Sequence, residues 1–205
     1  FEKAIVGSQN YEEDIRAMTF DGQSAKMIYE ALSQRDVQGA ADEFRSVYDE
    51  TDARDGYVSL EVNPHLAHDT KGTIVEARRL WRALNRPNVF IKVPATAEGL
   101  PAIQQLISEG INVNITLLFG LPRYREVVAA YIAGIGARTN EGKSVEHVAS
   151  VASFFVSRID TLVDPLLEKL ITQDGKAADV AKKVRGEVAI ASATMAYQIY
   201  KEIFQ

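Results

Sequence analysis

Cysteine is missing altogether from these 205 residues, which removes disulfides, thiolate metal sites and thiol nucleophiles together. A reducing compartment, the cytoplasm by default, is the expected setting. An excess of positive charge is missing too. Against 28 Asp and Glu stand 23 Lys and Arg, a net charge of −5, with no basic run to track a phosphodiester backbone, so nucleic acid is not an expected partner. No apolar run approaches the roughly 18 residues of a membrane span. No basic-plus-apolar leader is read at the start, which is Phe1 rather than Met, so no membrane partner is expected. Histidine is scarce: His65 and His68 stand three apart just after an expected strand, His147 lies far off, and all three read as solvated loop residues rather than a zinc set. What remains is ordinary for a globular protein, 46% apolar and 25% charged, on a length that suits one domain with a sizeable core.

Periodicity divides the chain into three stretches. Residues 1–55 read as helical. Asp21 precedes a segment with Ala25, Ile28, Tyr29 and Leu32 on one face, and Asp36 precedes a second with Val37, Ala40, Ala41, Phe44 and Val47 on one face, which predicts a helical pair. Residues 56–160 hold four short β-branched runs bounded by Gly, Asp or Pro, at 56–63, 89–94, 111–118 and 151–157. Amphipathic stretches at 73–85, 99–110 and 122–134 separate them, and residues 161–205 read as C-terminal helices. In the first stretch between strands, Trp81 joins Ile74, Ala77 and Leu84 at helical spacing, so it reads as core. Alternating strand and helix predicts a parallel sheet of βαβ units in a single α/β domain.

The strand faces narrow the fold. Val58, Leu60 and Val62 alternate with Ser59, Glu61 and Asn63, and Ile111, Val113, Ile115 and Leu117 alternate with Asn112, Asn114 and Thr116. Parallel strands sandwiched between helices are normally apolar on both faces. A recurrent polar face predicts strands lining a wet interior, as in a (β/α)8 TIM barrel, with the chemistry at their C-terminal ends.

Lys92 sits in the middle of the apolar strand Val89–Pro94, with no carboxylate nearer in sequence than Glu98. Burial disfavours an ammonium, lowers its pKa and frees an amine to attack a carbonyl, the first step of Schiff-base catalysis. A lysine reaching a rim, or pairing with Glu61, is the plainer alternative. Glu61, Asn114, Thr116 and Ser153 are expected to converge on the same interior, offering a carboxylate for proton transfer and polar groups for a polyol.

The run Ile91-Lys92-Val93-Pro94-Ala95-Thr96-Ala97-Glu98-Gly99-Leu100 resembles the Schiff-base lysine signature of transaldolases. Asn112-Val113-Asn114-Ile115-Thr116-Leu117-Leu118-Phe119 resembles their next barrel strand, Leu60-Glu61-Val62-Asn63 their glutamate strand, and Ser153-Phe154-Phe155-Val156-Ser157-Arg158-Ile159-Asp160 their serine–arginine strand. The resemblance implies that Lys92 forms a carbinolamine and imine with a ketose phosphate while Glu61 and Thr116 position the water released and returned. It implies that Asn114 and Ser153 hold substrate hydroxyls, that Phe155 forms part of the pocket wall, and that Arg158 contacts the substrate phosphate through its planar donor fork. The implied reaction moves a dihydroxyacetone unit between sugar phosphates, as in the pentose phosphate pathway. Its imine is the electron sink, so neither metal nor organic cofactor is expected.

A closed barrel of this family has eight strands, and four are found here. The family's proton-transfer aspartate, an Asn-Pro segment and the later strands with further phosphate contacts fall on no residue of this sequence, so an internal fragment is the expectation. A four-stranded sheet has two open edges, which predicts self-association or completion by the rest of a barrel. Another class I aldolase acting on sugar phosphates, or a non-catalytic barrel piece acting in assembly, are the alternative functions. The segment Gly136–Ser144 misses the spacing of a phosphate-binding loop by one residue and follows a helix, so nucleotide binding is not expected.

Overall fold

The computed structural model describes residues 2–173 and 175–205. Phe1 and Asp174, within the stretches expected to be helical, lie outside the described residues. The chain opens with helices α1 (Glu2–Val6), α2 (Glu12–Phe20), α3 (Ala25–Glu43) and α4 (Arg45–Glu50). Strand and helix then alternate as β1 (Val58–Glu61), α5 (Thr70–Leu84), β2 (Val89–Pro94), α6 (Gly99–Glu109), β3 (Val113–Leu118), α7 (Leu121–Asn140) and β4 (Ser150–Phe154). Helices α8 (Ser157–Ile171), α9 (Lys176–Val184) and α10 (Val188–Phe204) follow.

The expected helical pair is mostly one helix. Ser24, not Asp21, caps α3, its side chain accepting from the Met27 N–H at 3.3 Å. Asp36 lies inside α3 and accepts a 2.8 Å hydrogen bond from the Tyr11 hydroxyl instead of capping a new helix. The reason is that no Gly or Pro stands between residues 24 and 38, and Ile28, Leu32, Val37 and Ala41 continue one buried stripe across the expected break. Only Phe44 interrupts the run before α4, and there Tyr48 is buried while Phe44 and Val47 are exposed.

All four strands are parallel, in the order β1-β2-β3-β4, and each successive pair is bridged by one helix across a face of the sheet. On the helix-covered face Leu60, Ile91, Val93, Val113 and Ile115 pack against Leu80 and Leu84 of α5, Ile103, Leu106 and Ile107 of α6, and Val127 of α7. Each such side chain contributes about 1.5–3 kcal/mol by leaving water. Gly134 lets α7 approach α6 closely, since a Cβ there would lie 2.7 Å from the Gln104 carbonyl. Trp81, as expected, packs at the margin of this core.

Two buried asparagines fasten the N-terminal ends of the strands. Asn112 donates to the Pro87 carbonyl at 3.1 Å and accepts from the Ala149 N–H at 2.9 Å, so it ties the starts of β2, β3 and β4 together. It therefore works at the strand foot, not on the polar face where alternation put it. Alternation also fails at the other end of β3. Leu117 has φ +59 and the register with β4 shifts between Ile115 and Leu118, so Leu118 is buried and Leu117 is exposed. A left-handed residue inserts an extra step into the strand and breaks its period of two.

Candidate active site

Register sets the level of the polar groups. Glu61 pairs with Lys92, and Lys92 with Asn114, so adjacent strands place a carboxylate, an ammonium and an amide side by side on the face away from the helices. Lys92 Nζ lies 2.7 Å from Glu61 Oε1, a charge-assisted contact between side chains that retain 27% and 60% of their exposure. The lysine is thus partnered rather than alone among apolar neighbours. Across β2, Asn114 Nδ2 donates to Ser59 Oγ at 3.1 Å, and Ser153 Oγ of β4 donates to Asn114 Oδ1 at 2.7 Å. Beneath them Tyr57 and Phe90 stack at 4.4 Å, and burial pushes the Tyr57 phenol up to about 12. Aromatic rings thereby form an apolar floor.

Thr116 is buried beside Pro94, and its carbonyl accepts from the Ala95 N–H at 2.8 Å. Among the described residues no hydrogen bond joins its hydroxyl to Glu61 or Lys92. Where β4 turns into α8, Phe155 stacks on Phe119 at 5.0 Å and the Arg158 guanidinium stands 4.4 Å over the Phe155 ring. Arg158 belongs to the first turn of α8, is exposed, and has no carboxylate within salt-bridge range among the described residues. Its donor fork is therefore free for an anion.

Three contacts tie the loop after β1 to the loop after β2. Thr96 Oγ1 donates to the Ala67 carbonyl at 2.5 Å, Thr70 Oγ1 to the Glu98 carbonyl at 2.6 Å, and His68 Nδ1 lies 3.1 Å from Glu98 Oε2. A bond from its own backbone N–H, reinforced by His68, holds the Glu98 carboxyl below the usual carboxylate range. His68 is solvated as expected yet has a partner that the sequence did not indicate.

A cleft of ≈ 740 Å³ opens beside the lysine, lined by Ser59, Glu61, Asn63, His65 and Lys92 on one side and by Tyr29 and Ser33 of α3 on another. Leu60 and Val62 line it as well, so it wraps the open edge of β1. Sequence reasoning put Ser59 and Asn63 on the polar face without giving either a role, and the period of two that found Glu61 was the available signal. An amine next to a carboxylate, beside hydroxyl and amide groups, can add to a carbonyl and pass a proton while a polyol is held.

Residues 1–205 match the transaldolase/fructose-6-phosphate aldolase family. A transaldolase of Trichodesmium erythraeum is 48% identical over 208 residues, one of Saccharopolyspora erythraea 45% over 204, and one of Acidothermus cellulolyticus 47% over 204. Each alignment covers the whole of this chain but only 54%, 53% and 53% of the respective relative, so the chain spans about half the length of these proteins. Four parallel strands with intervening helices accord with part of that family's (β/α)8 barrel. From the first described helix to the last, this chain belongs to the transaldolase/fructose-6-phosphate aldolase family.

Proposed function

We propose that this chain carries the Schiff-base part of a transaldolase acting on sugar phosphates in the pentose phosphate pathway of the cytoplasm. The observation that carries the reading is the family match over residues 1–205, taken with the register that sets Glu61, Lys92 and Asn114 side by side; the 2.7 Å contact of Lys92 Nζ with Glu61 Oε1 by itself is equally that of a structural ion pair. With Glu61 taking its proton, the Lys92 amine adds to the ketose carbonyl. Loss of water from the carbinolamine forms the imine, and Glu61 with Thr116 holds that water. Once a base outside this chain takes the proton of the β-hydroxyl, the bond between the α- and β-carbons of the protonated imine breaks, which releases an aldose phosphate and leaves the electron pair in an enamine. The enamine then attacks an acceptor aldehyde, and returning water frees the new ketose and the lysine. Asn114 and Ser153 hold hydroxyls, Phe155 walls the site, and Arg158 takes the phosphate with its free guanidinium fork. The family's proton-transfer aspartate is assigned to no residue of this chain.

Borohydride reduction in the presence of fructose 6-phosphate, followed by peptide mass mapping, tests this. A sugar-derived mass increment on the Lys92 peptide, lost in Lys92→Ala, is the expected outcome. No increment at Lys92, either in this chain or when it is joined to the remaining half of the Trichodesmium relative, overturns the reading. Supplying an aldose acceptor to the joined protein separates transfer from simple aldol cleavage: a transferase hands the three-carbon unit on, and an aldolase releases it as dihydroxyacetone.

A further inference from the structure

Asn114 is held at both ends. Its Oδ1 accepts from Ser153 Oγ at 2.7 Å and its Nδ2 donates to Ser59 Oγ at 3.1 Å. Ser153 was expected in the site from the sequence, whereas Ser59 has no role in the chemistry above. Yet Ser59 occupies an inner-face strand position where a β-branched or aromatic side chain would pack better. Directly beside it in register lies Phe90, stacked on Tyr57 two residues before Ser59, and two residues further along β1 lies Glu61 in contact with Lys92. It is the polar group at the boundary between an aromatic floor and a charged pair. Strand order makes the bond specific: β2 separates β1 from β3, so the Ser59 hydroxyl and the Asn114 amide meet across an intervening strand, alongside Lys92.

An amide carries two N–H donors and an oxygen with two lone pairs. Here one donor is used on Ser59 and one lone pair on Ser153, and both bonds together fix the plane of the group. One N–H and one lone pair remain, on the residue paired in register with Lys92.

We propose that Ser59 is a positioning residue, which pins the Asn114 amide so that its remaining N–H and lone pair meet the hydroxyls of a sugar bound at Lys92. The proposal rests on the Schiff-base reading for its purpose, and its structural half stands apart from that reading. Without Ser59 the amide is tethered only through Ser153 and rotates. A bound polyol must then immobilise it.

The test compares Ser59→Ala and Ser59→Thr in the intact chain. In Ser59→Ala the Asn114 side-chain amide signals are expected to move in 15N–1H correlation spectra, and Ser59→Thr is expected to return them towards the parent positions. The fructose 6-phosphate concentration for half-maximal borohydride labelling of Lys92 is expected to rise about threefold to tenfold in Ser59→Ala, the worth of one hydrogen bond, with the plateau of labelling unchanged. In an Asn114→Ala background, Ser59→Ala is expected to add no further loss. Additive losses in that double variant, or Asn114 signals that stay in place in Ser59→Ala, overturn the proposal. If neither the parent chain nor the protein joined to the remaining half of the Trichodesmium relative takes label, the Schiff-base reading fails on its own count, and the amide signals alone decide: displaced signals sustain the hold of Ser59 on Asn114, and unmoved ones overturn it.

Discussion

Asn88 is fully buried at the foot of β2, where its amide donates to the Ala41 carbonyl at 2.7 Å and to the Gly56 carbonyl at 2.9 Å. Those two acceptors close the end of α3 and a turn in which Gly56 has φ +79, and a Cβ at Gly56 would lie 2.5 Å from the Tyr48 nitrogen. Asn88 therefore joins Gln38, which donates to the Ala83 and Leu84 carbonyls, in docking α3 onto the sheet. Asn88→Ala is expected to lower stability by about 2–3 kcal/mol, because two carbonyls lose their donors away from water. Urea unfolding monitored by circular dichroism measures this, and a loss under about 1 kcal/mol would show that water replaces the amide. Asn88→Asp should cost more, since it sets an acceptor oxygen against two carbonyl oxygens.

At the scale of the elements, ion pairs join successive helices on the outside of the sheet. Arg78 of α5 donates through Nε to Glu109 Oε2 of α6 at 2.7 Å, and Arg79 bonds Glu76 and, across to α3, Glu30. The Arg78 guanidinium holds the Glu109 carboxyl below its ordinary value of 4.5. A depressed folded value means stability that is present above the unfolded pKa and lost as pH falls through the folded one. Glu109→Gln is thus expected to be less stable than the parent at neutral pH by at most about 1 kcal/mol, given the exposure of the pair. That gap should begin to close as pH falls below the ordinary value of 4.5 and vanish below the depressed folded one. Equal deficits at neutral and acid pH would assign the loss to packing. Much of this layer was legible in the sequence. The run 89–94 gave β2 to the residue, because turn residues bound a short apolar, β-branched run. What was not legible depended on geometry that pattern does not carry. Leu117 and Leu118 are the same residue type, so only a backbone dihedral says which is buried. The Ser59–Asn114 bond needs the strand order, and the seat of Arg158 over Phe155 needs the angle at which β4 enters α8.

At the scale of the whole chain, the sheet among the described residues ends in two unpaired edges, β1 and β4. Val151 of β4 is 43% exposed, and Leu162, Leu166 and Leu170 form a stripe along α8 that is 69%, 54% and 38% exposed. Open edges and an apolar stripe favour pairing with another polypeptide. Sedimentation of this chain over a rising concentration series is expected to give a weight-average mass climbing above 22.6 kDa, and Val151→Lys should reduce the climb. A constant 22.6 kDa species would mean that neither surface is adhesive. The loops at the opposite, C-terminal rim show the reverse economy. Thr96, Thr70 and His68 fasten the loop after β1 to the loop after β2, so neither can change length without breaking contacts made by the other. Insertions and deletions in these two loops should be inherited as matched pairs, and grafting either from a relative should require its companion.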